Sequence, residues 1–229
     1  ESNNLALLGF ARNFKQKTGR YGNIITLKTE HKAVLEPIRQ LKKEGFSVTE
    51  LYPESDGLIS EENLVNALRD DTFLISIMLA NNEIGVIQPI EKIFKICQKN
   101  NIKLHTDAAQ CLGYVPMKNF DSLANMITLS SHKIYGPKGI GLLIIDEDIQ
   151  LNPLFYGGGQ EFGYRSGTIP LPLIVGFSKA IELAIKNQAR NSIHLASLRD
   201  ALMNGLLNKN SKILINGSIF HRLPHNLNL

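Results

Sequence analysis

Two short segments of this chain bring together side chains able to do covalent chemistry. One is His105-Thr106-Asp107-Ala108-Ala109-Gln110; the other, Ser130-Ser131-His132-Lys133, places its lysine 26 residues after Asp107. Each closes an apolar run that reads as a strand, so both can project into one crevice. A lysine amine forms Schiff bases with carbonyl compounds. A carboxylate can hold a pyridine nitrogen protonated, which makes the ring an electron sink for a carbanion. These are the two residue types that a pyridoxal 5'-phosphate (PLP) site needs. Plainer readings stand beside this one. Asp107-x-x-Gln110 also fits a helix N-cap with its reciprocal partner. Lys133 alone fits a solvated lysine, and His105 and His132 fit strand-end histidines satisfied by their neighbours.

The elements that must position these residues alternate along the sequence. Leu5, Leu8, Ala11 and Phe14 recur at helical spacing, and Ile24–Leu27 follows as a short strand. Leu35, Ile38 and Leu41 mark a second helix that Gly45 can end, and Phe46–Tyr52 is the next strand. Leu64, Ala67 and Leu68 give a third helical face. Phe73–Leu79 is a continuous apolar strand of the kind buried on both sides. Pro89 suits the first turn of a helix with Ile90, Ile93, Phe94 and Cys97 inward. Ile102–Thr106, Met126–Leu129 and Gly141–Ile145 supply three further strands.

This rhythm predicts an α/β fold in three layers, α/β/α, with a mostly parallel sheet. After Asp146 the texture changes. Leu151–Thr168 is glycine-rich and irregular, Pro170–Lys186 and Ser192–Leu207 read as two helices, and Lys212–Asn216 as a strand. We place a boundary near Asn187–Asn191, giving a large domain over 1–188 and the beginning of a smaller C-terminal domain over 189–229.

Composition narrows the function classes. With 229 residues and a formal charge of +4, Lys and Arg scattered among acids, the chain lacks the basic stripe of a nucleic-acid binder. No apolar run reaches the ~18 residues of a membrane span, and no signal peptide is visible. Cys97 and Cys111 form no C-x-x-C or Cys/His metal spacing. Two buried, reduced thiols in a cytoplasmic protein are expected, and no metal.

Ser130-Ser131-His132-Lys133-Ile134-Tyr135-Gly136-Pro137-Lys138-Gly139-Ile140-Gly141 resembles the cofactor-lysine signature of the class V aminotransferases. More narrowly, it resembles the cysteine desulfurases that feed iron–sulfur cluster assembly. The same resemblance includes Glu1-Ser2-Asn3-Asn4, Thr29-Glu30-His31-Lys32-Ala33-Val34, Asn81-Asn82-Glu83-Ile84-Gly85 and Arg165-Ser166-Gly167-Thr168. It implies a PLP enzyme that takes sulfur from L-cysteine, leaving L-alanine and an enzyme-bound persulfide.

Carried over, the resemblance makes Lys133 the Schiff-base lysine and proton shuttle. Asp107 pairs with the pyridine nitrogen, Gln110 bonds the ring's phenolic oxygen, and His31 stacks on the ring. Asn82 lies beside the cofactor, Ser130 and His132 contact its phosphate, and Thr168 reaches the phosphate of a neighbouring subunit. Lys138, on a glycine-flanked loop, is the weaker Schiff-base candidate. A homodimer and a sulfur-accepting scaffold protein are the implied partners.

There are departures. Phe162 stands where the family usually has a basic residue. Family members also carry an Ala-Thr pair before the position of Glu1, and beyond that of Leu229 a mobile cysteine loop and a substrate-gripping arginine. Both ends look cut, so this chain by itself is expected not to complete the reaction. The readings kept beside this one are another class V activity, an aminotransferase or selenocysteine lyase, and a non-catalytic remnant serving as a binding or dimerisation partner.

Overall fold

The structure is a computed structural model, and it describes residues 1–116 and 123–229. Six five-residue strands make one sheet: β1 (Asn23–Leu27), β2 (Ser47–Leu51), β3 (Thr72–Ser76), β4 (Lys103–Asp107), β5 (Met126–Ser130) and β6 (Gly141–Ile145). Their spatial order is β2-β1-β3-β4-β5-β6. The first five pair in parallel, and β6 returns antiparallel to β5. Sequence order reverses direction between β1 and β3, and the carboxyl ends of β1, β3, β4 and β5 point the same way. That is where an open α/β sheet presents a crevice.

Side chains alternate across the sheet, so each strand feeds two cores. Ile25, Leu27, Ile75, Leu104 and Ile127 face one of them, together with Leu64 of α4 (Glu61–Asn66) and Ile93 and Cys97 of α5 (Ile90–Lys99). Ile24, Leu74 and Met126 face the other, under Val34, Ile38 and Leu41 of α3 (Lys32–Lys43). The entering helix packs here too, in three parts: α1 (Ser2–Asn4), a π-helical stretch Leu5–Gly9 and α2 (Phe10–Thr18). Leu5 to Leu8 are all buried, so this stretch is apolar on every side. Gly9 is required by close approach, because a Cβ there would lie 2.8 Å from Asn152 O. The three-layer α/β/α arrangement with a mostly parallel sheet is therefore as expected.

Three details differ from the sequence reading. α6 (Leu171–Lys209) is one helix of 39 residues where two, Pro170–Lys186 and Ser192–Leu207, are expected, and residues 187–191 lie within it. That stretch contains no Gly or Pro to break the helix. Gln188 Nε2 and Ser192 Oγ also both donate to Tyr114 O, at 3.2 and 2.8 Å, which ties this turn to the body of the protein. Residues 212–216 form no strand; their backbone is irregular, with Asn216 N donating to Asn228 O at 3.0 Å. β3 ends at Ser76 rather than Leu79, although Ile77 N and Leu79 N still donate to His105 O and Asp107 O of β4, at 3.1 and 3.0 Å. The final segment folds back on the loop after β3, through Leu223 N to Gly85 O at 2.8 Å.

Candidate active site

Asp107 is the last residue of β4, 7% exposed, with its carboxylate at the end of the sheet. One oxygen accepts from Ala109 N at 2.9 Å and the other from Asn3 Nδ2 at 2.7 Å. The first contact is the capping interaction that the plainer reading of this motif allows, but a series of turns follows rather than a helix. Asp107 therefore does both things: it ends the strand locally and presents a carboxylate to the cavity above.

Lys133 reaches the same cavity from the neighbouring strand. β5 ends at Ser130, and a single 3-10 turn, Ser131–Ile134, carries the lysine. Tyr135 closes that turn in the left-handed region at φ 64°. Gly136 N then donates to Ser131 O at 3.1 Å, and a Cβ on Gly136 would collide with Ser131 Oγ at 2.2 Å. Glycine is thus needed for the lysine loop to fold so tightly. The Lys133 side chain is exposed to the cavity and makes no ion pair or hydrogen bond among the described residues. An amine held this way is free to react.

His31 comes from the third direction, as the N-cap of α3, its Nδ1 accepting from Ala33 N at 3.1 Å. Ser130 Oγ and His132 Nδ1 lie 2.9 Å apart, two polar groups beside the lysine. Asn82 follows Asn81, whose Oδ1 accepts from Glu83 N and Ile84 N, both at 2.8 Å, so its loop is fixed. Asn82, Gln110, His31, Ser130 and His132 join Asp107 and Lys133 around one cavity of about 1210 Å³. Thr168 does not. It is exposed outside that lining, although its neighbour Gly167 contributes to it.

Several groups at the site carry no sequence signal strong enough to single them out. Asn3 is one, since only the approach of α1 to β4 brings it to Asp107. Glu1 Oε1 accepts from Arg165 Nε at 2.8 Å, a partly exposed pair of small energetic consequence that ties the glycine-rich loop to the first helix. Glu30 is buried, with one oxygen accepting from Met78 N at 2.6 Å.

His105 is satisfied by neighbours, as its plainer reading expects. Its ring hydrogen-bonds Ser76 Oγ at 2.8 Å and Thr128 Oγ1 at 3.2 Å. Burial lowers its pKa to about 4 against an ordinary 6.5, partly offset by the Asp107 carboxylate. The unfolded chain thus takes up a proton near pH 6.5 that the folded chain refuses until about pH 4. Its contribution is complete above pH 6.5 and is lost as the pH falls toward 4, on the order of a few kcal/mol. Urea midpoints at pH 7 and 4.5 should show His105→Gln losing clearly less stability than the wild type on acidification. Equal losses would contradict this.

Cys97 and Cys111 are both free and buried. Burial pushes the Cys97 thiol up to about 12 and the Cys111 thiol well above its usual range, the latter helped by the Asp107 carboxylate. A thiol must ionise to react. Iodoacetamide at pH 8 should therefore label the native protein at neither position on a timescale that labels the urea-unfolded protein fully. Rapid labelling of native Cys111 would reverse this.

A family comparison matches Aminotransferase class-V over residues 1–227. The chain is 48% identical to "Cysteine desulfurase IscS" of Pasteurella multocida, across all of this chain and 56% of that protein. It is 47% identical to "Cysteine desulfurase, mitochondrial" of Eremothecium gossypii, across all of this chain and 46% of that one. This chain spans about half the length of these curated relatives. Among solved structures, DndA from Streptomyces lividans superposes with a TM-score of 0.91 at 41% identity, over 99% of this chain and 64% of that one. A lysine turn after one strand, a carboxylate ending the next, and a sequence matched almost end to end lead to one conclusion: the chain belongs to the class-V aminotransferase family.

Proposed function

We propose that this chain is the cofactor-binding core of a PLP-dependent cysteine desulfurase that takes sulfur from L-cysteine. The observation that carries this reading is the meeting of Lys133 and Asp107 at one cavity, from the ends of adjacent strands. The donor set fits the cofactor. An amine without partners among the described residues and a strand-end carboxylate are present, with a hydroxyl–imidazole pair, Ser130 and His132, suited to a phosphate. When bound, PLP supplies an electron sink for the substrate's carbanion.

The chain's own residues do the rest. Lys133 holds the cofactor and then moves protons at its Nζ. Asp107 keeps the pyridine nitrogen protonated, with Asn3 and the Ala109 amide holding the carboxylate in place. Gln110 bonds the phenolic oxygen, His31 covers the ring face, and Asn82 stands at the substrate side. In the overall reaction the cysteine C–S bond breaks and the sulfur passes to an acceptor thiol, giving L-alanine and a persulfide. Burial of Cys97 and Cys111 supports an acceptor thiol other than these two.

The persulfide suits delivery to a scaffold protein for iron–sulfur cluster assembly. A homodimer, with Thr168 reaching the partner's phosphate site, fits the exposure of Thr168 and of apolar residues such as Phe162, Val175 and Ile185. We place the protein in the cytoplasm. No helix of the described residues is long and apolar enough to cross a membrane.

The test is incubation of the chain, extended at both ends to the length of its relatives, with PLP, L-cysteine and a thiol reductant, with alanine and sulfide both quantified. Equal yields of the two, dependent on PLP, are expected. Cofactor binding without alanine from cysteine would favour a different class V reaction.

A further inference from the structure

Glu30 immediately precedes His31 and is 5% exposed. Its side chain fills a gap in the sheet. β1 stops at Leu27, while the chain that continues β3 runs on beside β4. There Ile77 N and Leu79 N donate to β4, and Met78 N, pointing the opposite way, has no strand to receive it. Glu30 Oε1 takes the place of the missing backbone carbonyl, accepting from Met78 N at 2.6 Å. One residue earlier, Thr29 O accepts from Asn81 Nδ2 at 2.9 Å. These two bonds tie the loop that carries His31 to the loop that carries Asn82.

The other oxygen of Glu30 is buried with no hydrogen-bond partner among the described residues. No Lys, Arg or His there forms an ion pair with it, and the charged group that acts on it is the Asp107 carboxylate of β4. A buried anion with one oxygen undonated costs far more than the neutral acid. Burial accordingly pushes the Glu30 carboxyl well above the usual range, opposed by the Met78 hydrogen bond and reinforced by Asp107.

We propose that Glu30 is a positioning residue that works as a neutral carboxylic acid, fixing the His31 loop against the Met78–Asn82 segment without adding a second negative charge beside Asp107. A second carboxylate there would favour protonation of Asp107 and so weaken its pairing with the pyridine nitrogen, since like charges in one site favour protonation of one of them. The proposal rests on the PLP reading of the site.

Glu30→Gln and Glu30→Ala separate the parts of this proposal. Glutamine keeps an acceptor for Met78 N and is neutral at every pH. E30Q should bind PLP within about twofold of wild type, with the same visible absorbance. E30A leaves a buried N–H unsatisfied and should bind PLP about tenfold more weakly. Its cofactor band should also shift, a change that a merely structural role would not produce.

Without PLP, the Glu30 carboxyl by itself should make stability fall as the pH rises above 4.5, opposite in sign to the contribution of His105, because the folded chain must keep a proton that the unfolded chain releases. E30Q should differ from wild type by that component of the slope. E30Q as damaged as E30A, or E30A folding with unchanged affinity and spectrum, overturns the proposal. If E30A does not fold, E30Q binding and the difference between its pH slope and that of wild type decide it. If even the wild type binds no PLP, the cofactor reading fails, while an E30Q slope equal to that of wild type still overturns the neutral-acid assignment.

Discussion

In the chain extended to the length of its relatives, Lys133→Ala should abolish turnover, lowering alanine formation from L-cysteine by about 10⁴-fold or more, because one side chain performs both attachment and proton transfer. The substitution is well suited to the question. Lys133 is exposed, makes no bond among the described residues, and lies on a turn held by Ser131 O and Gly136 rather than by the lysine itself. Its loss should leave unfolding within about 0.5 kcal/mol, as for other surface positions free of special contacts. PLP should still associate through its phosphate and ring contacts, yet dialyse away where the wild type retains it. Lys133→Arg should behave as the alanine variant does, since it keeps the charge but loses the Schiff-base amine. Turnover of Lys133→Ala within tenfold of wild type, measured with purified protein and added PLP, would contradict the assignment.

Asp107→Asn should lower turnover by about 10²–10³-fold, the scale of losing one preorganised electrostatic partner in a site shielded from water. The fold should survive, for a reason visible around the residue. Asp107 accepts from both Ala109 N and Asn3 Nδ2. An asparagine offers one acceptor and one donor, and Asn3 Oδ1 is buried without a partner among the described residues. If the Asn3 amide turns over, its oxygen can accept from the new amide while Ala109 N keeps its bond. Near-wild-type thermal unfolding with a collapsed rate is the expected pair of results. A second substitution, Asn3→Ala in the Asp107→Asn background, should cost stability and little further rate. An Asp107→Asn enzyme of normal rate would remove Asp107 from the chemistry.

Much of the site was legible because its residues fall at strand ends, and strand ends are readable. The runs Ile102–Thr106 and Met126–Leu129 are apolar enough to be strands, which puts Asp107 and Lys133 at the same edge of a parallel sheet. The resemblance supplied roles for His31, Asn82 and Gln110 that periodicity alone does not. What stayed hidden depends on distance in sequence. The bond from Asn3 to Asp107 spans 104 positions, and nothing in Ser-Asn-Asn announces it. Glu30 reads as an ordinary acid before a helix. Its burial follows only from β1 ending before its neighbour does.

The errors have physical causes too. The polar run Asn187–Asn191 reads as a break between two helices, but none of its residues stops a helix, and bonds to Tyr114 O hold the turn in register. Lys212–Asn216 holds a short apolar run, Ile213–Ile215, that reads as a strand, yet it joins no ladder among the described residues and stays irregular. The plainer reading of Asp107-x-x-Gln110, a helix N-cap, leads into a helix. Instead the chain makes successive turns there, with Gly113 at φ 83°.

The central claim, that Lys133 is the residue that attaches PLP, has one direct measurement. The purified protein is mixed with PLP, reduced with borohydride and digested, and the pyridoxyl label is mapped by mass spectrometry. The account predicts a single labelled peptide with the modification on Lys133. Label on Lys138, spread over surface lysines, or absent altogether would contradict it.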